Sequence, residues 1–334
     1  MIPEVKKAGV KHALQATFGV SEFEEISVLT AGLSPALIFR IVVMGKPYLL
    51  RVITSEDTMS NPAHWYGCMK IAAETGLAPH IWYTSIEDRI SITDFIEAKP
   101  LPTTKAAVIL PDLLKRLHSL PLFPARVNYF EAMDGFIQKF QAAKILPEPI
   151  TKELFNMYAN ITSVYPRNGH DLVSCHNDLK PENMLFDGDR VWLVDWEAAF
   201  LNDRYADLAV VANFVVMNDD EEKDYLKRYF GEEVNEYNYA RFFLMRQLLH
   251  IFYFTVFLLL GSADGKPIDL NLPQPGFREF NDLIWAGKVN LATNDARRLY
   301  ALVHMEQALS NLRLKRFDDS LQIVSNYQSS LLRQ

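Results

Sequence analysis

The chain has 334 residues, of which 49% are hydrophobic and 22% are charged, a composition typical of a globular protein with two lobes or domains. Its net charge of −7 argues against a nucleic-acid partner. The two cysteines, Cys68 and Cys175, show neither metal-type spacing nor a disulfide pattern and favour a reducing compartment. The first residues lack an apolar signal core, and the longest apolar run, 251–260, is too short to span a bilayer. The sequence therefore predicts a cytoplasmic protein without a membrane or nucleic-acid partner.

The first third of the chain is predicted to form a small antiparallel sheet. A helix at 6–18 ends at Gly19, and a second helix at 62–75 ends at Gly76. Short runs rich in Val, Ile, Leu and aromatic residues predict five strands, at 26–29, 36–43, 48–53, 81–84 and 89–95. These elements define an N-terminal β-rich lobe at 1–97.

Helical periodicity dominates after Pro100. Leu110, Leu113, Leu114 and Leu117, for example, recur at three- and four-residue spacing and give one apolar face. One short apolar run at 191–194 is predicted to be a buried strand. Helices are predicted at 106–119, 130–143, 151–164, 207–217, 221–230, 235–260, 276–286, 295–312 and 318–332. The predicted fold class is α+β, with a small β lobe followed by a larger helical lobe at 98–334.

The most informative motif is Cys-His-Asn-Asp-Leu-Lys-Pro-Glu-Asn at 175–183, followed by Asp195 at the end of the predicted strand. Asp178 could orient and deprotonate a hydroxyl, while Asn183 and Asp195 offer the hard oxygen ligands that magnesium prefers. The alternative is an ordinary hairpin with capping Asp and Asn residues. The run is similar to the kinase catalytic loop His-Arg-Asp-Leu-x-x-x-Asn.

The motif and the order of elements resemble the choline/ethanolamine kinase and aminoglycoside phosphotransferase superfamily, and most closely its bacterial choline-kinase-like branch. The similarity extends from about Leu29 to about Phe214 and is strongest at 175–183 and 193–209. It implies a bilobal, protein-kinase-like fold with ATP between the lobes and Mg²⁺ as cofactor.

The resemblance also implies roles for the residues around the motif. Asp178 would be the catalytic base, with Asn183 and Asp195 as magnesium ligands. Lys180 would steady the transferring phosphoryl group, its alternative being a solvated surface lysine. His176 and Asp207 would support the loop, although Asp207 could instead cap the following helix.

The nucleotide would be held by residues of the N-terminal lobe. In this family the position of Arg51 binds phosphate, Gly32 and Ser34 belong to the loop that covers the phosphates, and Phe95 and Ile96 follow the last strand. One departure concerns the helix at 62–75, which should provide a Glu to pair with Arg51. His64 or Trp65 stands near that place, and Glu74, the helix's only acid, lies close to its end. The sequence leaves the partner of Arg51 open.

The acceptor pocket is less well defined. The Tyr that eukaryotic choline kinases have soon after the metal-binding Asp is replaced by Ala198. Other aromatic and acidic residues could form a cation-binding pocket: Trp196, Glu197, Phe200, Asp203, Tyr205, Tyr253 and Trp285. The expected activity is ATP-dependent phosphorylation of a hydroxyl on a small cationic alcohol, choline or ethanolamine first. An aminoglycoside or thiamine phosphotransferase and a nucleotide-binding pseudokinase are the alternatives, and the oligomeric state is open.

Overall fold

The structure, a computed structural model, describes residues 2–29, 36–57, 60–167, 171–270 and 273–331. It confirms the predicted α+β class. The contacts divide the chain into two compact units. The first unit comprises residues 1–101, 120–123 and 182–200, and the second comprises 102–119, 124–181 and 201–334. The segment 182–200 thus belongs to the first unit, whereas the sequence analysis assigned everything after 97 to the helical lobe.

The first unit contains a five-stranded antiparallel sheet, as predicted. Its strand order is β1-β2-β3-β5-β4, with neighbouring strands antiparallel throughout. The elements are α1 (Glu4–Phe18), β1 (Glu25–Val28), β2 (Ala36–Val43), β3 (Lys46–Ile53), α2 (Tyr66–Glu74), β4 (Ile81–Ser85) and β5 (Ile90–Asp94).

Strand alternation separates the core face of this sheet from the face that carries Arg51. Because successive side chains of a strand point to opposite faces, Tyr48, Leu50 and Val52 of β3 point to one face and Arg51 to the other. The first three pack with Leu14 and its neighbours on α1 in the core of the unit. In register, Arg51 lies opposite Ser91 of β5.

A short hairpin completes the first unit. Strands β7 (Met184–Phe186) and β8 (Val191–Leu193) pair antiparallel across a turn. Asp187 stabilises the turn, because its Oδ1 accepts from the backbone N–H groups of Asp189 at 2.8 Å and Arg190 at 2.9 Å. The hairpin is anchored to the rest of the unit by hydrogen bonds from Lys99 N to Phe186 O and from Leu193 N to Leu77 O.

The second unit is built from nine helices and two short strands among the described residues. Strands β6 (Leu172–Cys175) and β9 (Phe200–Asp203), which the sequence analysis did not predict, pair with each other. The helices are α3 (Thr103–His118), α4 (Tyr129–Ala143), α5 (Glu148–Val164), α6 (Arg204–Val215), α7 (Asp219–Phe230), α8 (Glu236–Gly261), α9 (Phe277–Trp285), α10 (Asn294–Leu312) and α11 (Lys315–Leu331). Asn and Asp side chains cap the N-termini of several of these helices. Asn235 and Asn238, for example, form a reciprocal capping box at the start of α8.

Helix α8 is the central helix of the second unit. Among the described helices it alone is long and apolar enough to cross a membrane by length and composition. In the structure it packs against α10, α11, α6 and α4, and most of its apolar window is buried. This agrees with the helix predicted at 235–260 and with the expectation that its apolar run does not span a bilayer.

Candidate active site

The backbone of the Asp178 loop (His176–Lys180) is held by a buried carboxylate. Asp207 of α6 accepts from the backbone N–H groups of His176 at 2.8 Å and Asn177 at 2.7 Å. Asn177 has φ +64°, in the left-handed region that Asn tolerates better than most residues. The helix begins earlier than predicted, with Asp203 as its N-cap, so the alternative reading of Asp207 as an N-cap is wrong.

A chain of buried polar groups lies behind Asp207. His118 Nε2 is 3.2 Å from Asp207 Oδ2, and its Nδ1 is 2.6 Å from the Tyr229 hydroxyl. A carboxylate only accepts, so His118 donates to Asp207 from Nε2. Burial raises the pKa of Asp207, but the hydrogen bonds and electrostatic effects of His118 and His176 outweigh burial, and the net pKa is lowered.

His118, Cys175 and Asp207 also form the one cluster of metal-ligand type found among the described residues. Their ligand atoms all lie within 4.8 Å of one another, and all three side chains are buried. Both oxygens of Asp207 already accept hydrogen bonds from the loop and from His118. Burial raises the pKa of the Cys175 thiol well above its usual value, so it stays protonated. These contacts make the cluster a brace for the Asp178 loop.

The side chains of Asp178 and Lys180 contact each other. Lys180 Nζ donates to Asp178 Oδ2 at 2.9 Å, and the two side chains are 34% and 38% exposed. The alternative for Lys180 was a solvated surface lysine. In the structure its ammonium group is instead paired with Asp178. The ammonium group lies where it stabilises the negative form of the carboxylate.

Two buried tyrosines of the second unit lie within electrostatic range of Asp178. Burial raises the pKa values of Tyr129 and Tyr253, and the nearby carboxylates, Asp178 among them, raise both further. Phe252 lies between these tyrosines, with ring centroids 6.0 Å from each. Tyr253 was among the predicted aromatic candidates. Tyr129 was missed, because it begins a helix far from the motif and no local pattern links it to Asp178.

A cleft of about 340 Å³ in the second unit includes Tyr129 in its wall. Tyr129 and Asn202 line it, and Asn202 Nδ2 donates to Asn177 Oδ1 at 2.6 Å, which connects its wall to the Asp178 loop. Its charged lining consists of Arg126, Arg167, Asp171, Asp203 and Arg241. The cleft is thus lined by charges of both signs.

Asp203, a predicted acceptor residue, is an internal ion-pair partner in this cleft. Its Oδ2 accepts from Arg241 Nη2 at 2.8 Å and from the Tyr165 hydroxyl at 3.0 Å, while its Oδ1 caps α6. Arg241 also pairs with Asp171 and lies 4.8 Å above the ring of Tyr205. The Tyr205 face is therefore covered by a guanidinium of the chain itself.

In the first unit, Arg51 contacts two carboxylates that follow β8. Arg51 Nη1 donates to Asp195 Oδ1 at 2.9 Å, and Nη2 pairs with Glu197 Oε1. The Arg51 side chain is 11% exposed, and those of Asp195 and Glu197 are 26% and 32% exposed. The sequence did not identify the acid that pairs with Arg51. In the structure two acids pair with its guanidinium, and both come from the segment after β8.

Asn183 and Asp195, the predicted magnesium ligands, lie at adjoining ends of the β7–β8 hairpin. Val194 N donates to the backbone carbonyl of Asn183 at 3.0 Å, which brings the residues before β7 and after β8 together. Asp195 has φ +65°, a left-handed conformation that turns the chain sharply at the end of the strand. The two side chains supply a carboxylate and an amide oxygen, donors that fit Mg²⁺.

The remaining predicted residues have varied surroundings. Trp196 is buried in the first unit, packs edge-to-face with Phe123 and donates from Nε1 to Leu193 O at 3.1 Å. Phe200 is buried, and Phe95 and Ile96, just after β5, are half-buried. Gly32 and Ser34 lie outside the described residues. Trp285 contacts Phe214, with ring centroids 6.2 Å apart.

Comparisons with known proteins give matches to a family model and to curated relatives. The model of the phosphotransferase enzyme family (APH) matches residues 25–243, more than half of the chain. Protein LicA of Haemophilus influenzae is 36% identical over 77 residues, which cover 23% of this chain and 28% of LicA. The chain thus aligns with about a quarter of that relative's length.

Solved structures match over nearly the whole chain and show the fold. A choline/ethanolamine kinase family protein from Mesorhizobium loti has a TM-score of 0.67 at 20% identity, covering 96% of this chain and 99% of that one. Choline kinase LicA from Streptococcus pneumoniae has a TM-score of 0.59 at 18% identity, covering 92% and 98%. A spectinomycin phosphotransferase in complex with ADP and spectinomycin has a TM-score of 0.58 at 13% identity, covering 92% and 98%.

Proposed function

Because the chain belongs to the phosphotransferase enzyme family, we propose that it transfers the γ-phosphoryl group of ATP to a hydroxyl of a small cationic alcohol, choline or ethanolamine first. The observation that carries the proposal is the polar set around the motif. Asp178 is braced by Asp207, and Asn183 and Asp195 are neighbours at the ends of one hairpin. This set provides the base and the oxygen ligands that phosphoryl transfer requires.

Each residue has a defined task in the proposed reaction. Asp178 accepts the proton of the acceptor hydroxyl as its oxygen bonds to the γ-phosphorus and the bond to the ADP oxygen breaks. Lys180 orients the Asp178 carboxylate through its hydrogen bond and steadies the transferring phosphoryl group. Arg51 binds phosphate oxygens through its guanidinium fork. Asn183 and Asp195 would hold Mg²⁺, which when bound neutralises charge on the phosphates.

A cationic acceptor is supported by an aromatic cluster of the second unit, two of whose tyrosines lie within electrostatic range of Asp178, and by the choline- and ethanolamine-kinase structures. Tyr129, Phe252 and Tyr253 offer ring faces, and each cation–π contact contributes about 0.5–2 kcal/mol. The acidic chain adds a weak attraction for cations. Aminoglycosides remain the second candidate, favoured by the structural similarity to a spectinomycin phosphotransferase. The cytoplasm, where ATP is abundant, is the proposed location.

An acceptor screen tests the proposal. ATP consumption would be measured with choline, ethanolamine, thiamine, an aminoglycoside and 3,3-dimethyl-1-butanol, the uncharged isostere of choline. We expect choline or ethanolamine to give the highest kcat/KM, at least about tenfold above the neutral isostere, because one or two cation–π contacts account for such a ratio. Equal or faster turnover of the isostere would overturn the cationic acceptor while leaving the kinase activity in place.

A further inference from the structure

We infer that Glu197 is the residue that positions Arg51 for nucleotide binding, a role that helix α2 cannot fill in this chain. The inference rests on the proposed function, because it assigns Arg51 to the nucleotide phosphates. It begins with the composition of α2. The helix has one acid, Glu74, which is its last residue and is exposed.

Helix α2 presents a phenol to Arg51 where a carboxylate would be needed. Burial raises the pKa of Tyr66, the first residue of α2, to about 12, while the charge of Arg51 lowers it. Tyr66 therefore lies within electrostatic range of the guanidinium. A neutral phenol does not compensate the charge of a guanidinium that is only 11% exposed, so a carboxylate has to come from elsewhere.

The two nitrogen atoms of the Arg51 fork have separate partners. Nη1 is bonded to Asp195, and Nη2 is paired with Glu197. Asp195 is a proposed magnesium ligand, so its carboxylate is committed to the metal once the nucleotide is bound. Glu197 can then hold Nη2 while Nη1 turns to a phosphate oxygen. Glu197 thus orients the fork and offsets its charge without contacting the nucleotide.

A double-mutant cycle between positions 51 and 197 tests this assignment. ADP affinity would be measured by calorimetry in the absence of magnesium for the wild type, Glu197→Gln, Arg51→Gln and the double variant. Glutamine keeps the shape of the glutamate and removes its charge. We expect Glu197→Gln to weaken ADP binding about five- to tenfold in the wild-type background and less than about twofold in the Arg51→Gln background, because it acts through Arg51.

Matched controls keep the result unambiguous. Glu74→Gln removes the acid of α2 and should leave ADP affinity unchanged. Glu197→Asp keeps the negative charge but shortens the side chain by one methylene, so it should lose less ADP affinity than Glu197→Gln. A general loss of folding would not produce this order. Melting temperatures of all variants would be compared in parallel.

Three outcomes would overturn the inference. The first is an equal loss of ADP affinity from Glu197→Gln in the wild-type and Arg51→Gln backgrounds. The second is a loss of ADP affinity from Glu74→Gln with none from Glu197→Gln. The third is a loss confined to magnesium-containing buffer, which would make Glu197 a metal ligand. Failure of the wild type to bind ADP would instead contradict the proposed function itself.

Discussion

Two residues with left-handed backbone mark the candidate site at the residue scale. Asn177, with φ +64°, precedes the predicted base, and Asp195, with φ +65°, is itself a predicted metal ligand. Side chains other than glycine adopt this conformation at a cost, of order 1–3 kcal/mol at worst, and keep it where the surroundings impose it. At Asn177 the surroundings are the carboxylate of Asp207, which accepts from the Asn177 backbone N–H, and the Asn202 amide, which donates to Asn177 Oδ1. The motif predicted the residue types, but not this conformation, because it depends on partners more than 20 positions away.

Replacement of Asp178 tests its role as the base. Asp178→Ala should lower kcat at least about a hundredfold and leave ADP affinity nearly unchanged, because a general base acts in the transition state. Steady-state kinetics with the best acceptor and calorimetry with ADP would measure the two effects. Asp112→Ala, which removes an exposed aspartate of α3, is the control. Near-normal turnover of Asp178→Ala would remove it from the role of base.

Replacement of Asp195 separates metal binding from phosphate binding. Asp195→Asn should weaken ADP binding mainly in the presence of magnesium, because an amide oxygen is a poorer ligand than a carboxylate. The ratio of ADP affinities with and without magnesium would shrink toward one, with partial recovery at higher magnesium. Asp189→Asn, an exposed position in the β7–β8 turn, is the control. A ratio unchanged by Asp195→Asn would argue against the metal role.

Periodic elements were predicted from the sequence, and short paired elements were not. The Leu110, Leu114 and Leu117 positions identified α3, and all three are buried. Strands β6 and β9, four residues each, pair with each other across 24 or more positions and were missed. Their pairing is set by the packing of the second unit, and a four-residue run carries too little periodicity to reveal it.

A buried histidine pair between α8 and α10 should make stability depend on pH. His250 Nδ1 lies 2.8 Å from His304 Nδ1, so one ring donates to the other and the unprotonated pair is favoured. Burial, together with the charge of His304 and of Arg246, lowers the pKa of His250 well below its usual value, and burial lowers that of His304 to about 3. The aromatic neighbours Tyr253 and Tyr300 complete the surroundings.

The sign of the effect follows from proton uptake by the unfolded chain. Below about pH 6.5 the histidines of the unfolded chain bind protons that the folded pair does not bind. The free energy of unfolding therefore keeps its full value above that pH and decreases on acidification toward pH 3. The decrease is about 1.4 kcal/mol per pH unit for each histidine. The free energy of unfolding of the wild type and of His304→Gln would be measured with urea between pH 5 and 6.5. We expect it to change less steeply with pH in the variant. His64→Gln, an exposed position, is the control. If the free energy of unfolding of His304→Gln changed with pH as steeply as that of the wild type, the histidine pair would not be the source of the pH dependence.

At the scale of the whole molecule, the order of elements along the chain predicted the class but not the membership of the units. The hairpin at 184–193 follows the helical segments in sequence, yet it belongs to the first unit. Hydrogen bonds from Lys99 N to Phe186 O and from Leu193 N to Leu77 O hold it there. These bonds join segments about 90 or more residues apart, and local composition carries no signal for them.

The central claim is phosphoryl transfer to an acceptor hydroxyl, and its product is the most direct test. The chain would be incubated with ATP, magnesium and choline or ethanolamine, and the products followed by ³¹P NMR, with Asp178→Ala in parallel. The account predicts a new phosphomonoester that appears in equal amount with ADP for the wild type, and little or none for the variant. ADP binding without ester formation from any acceptor in the screen would contradict the account and favour a nucleotide-binding pseudokinase.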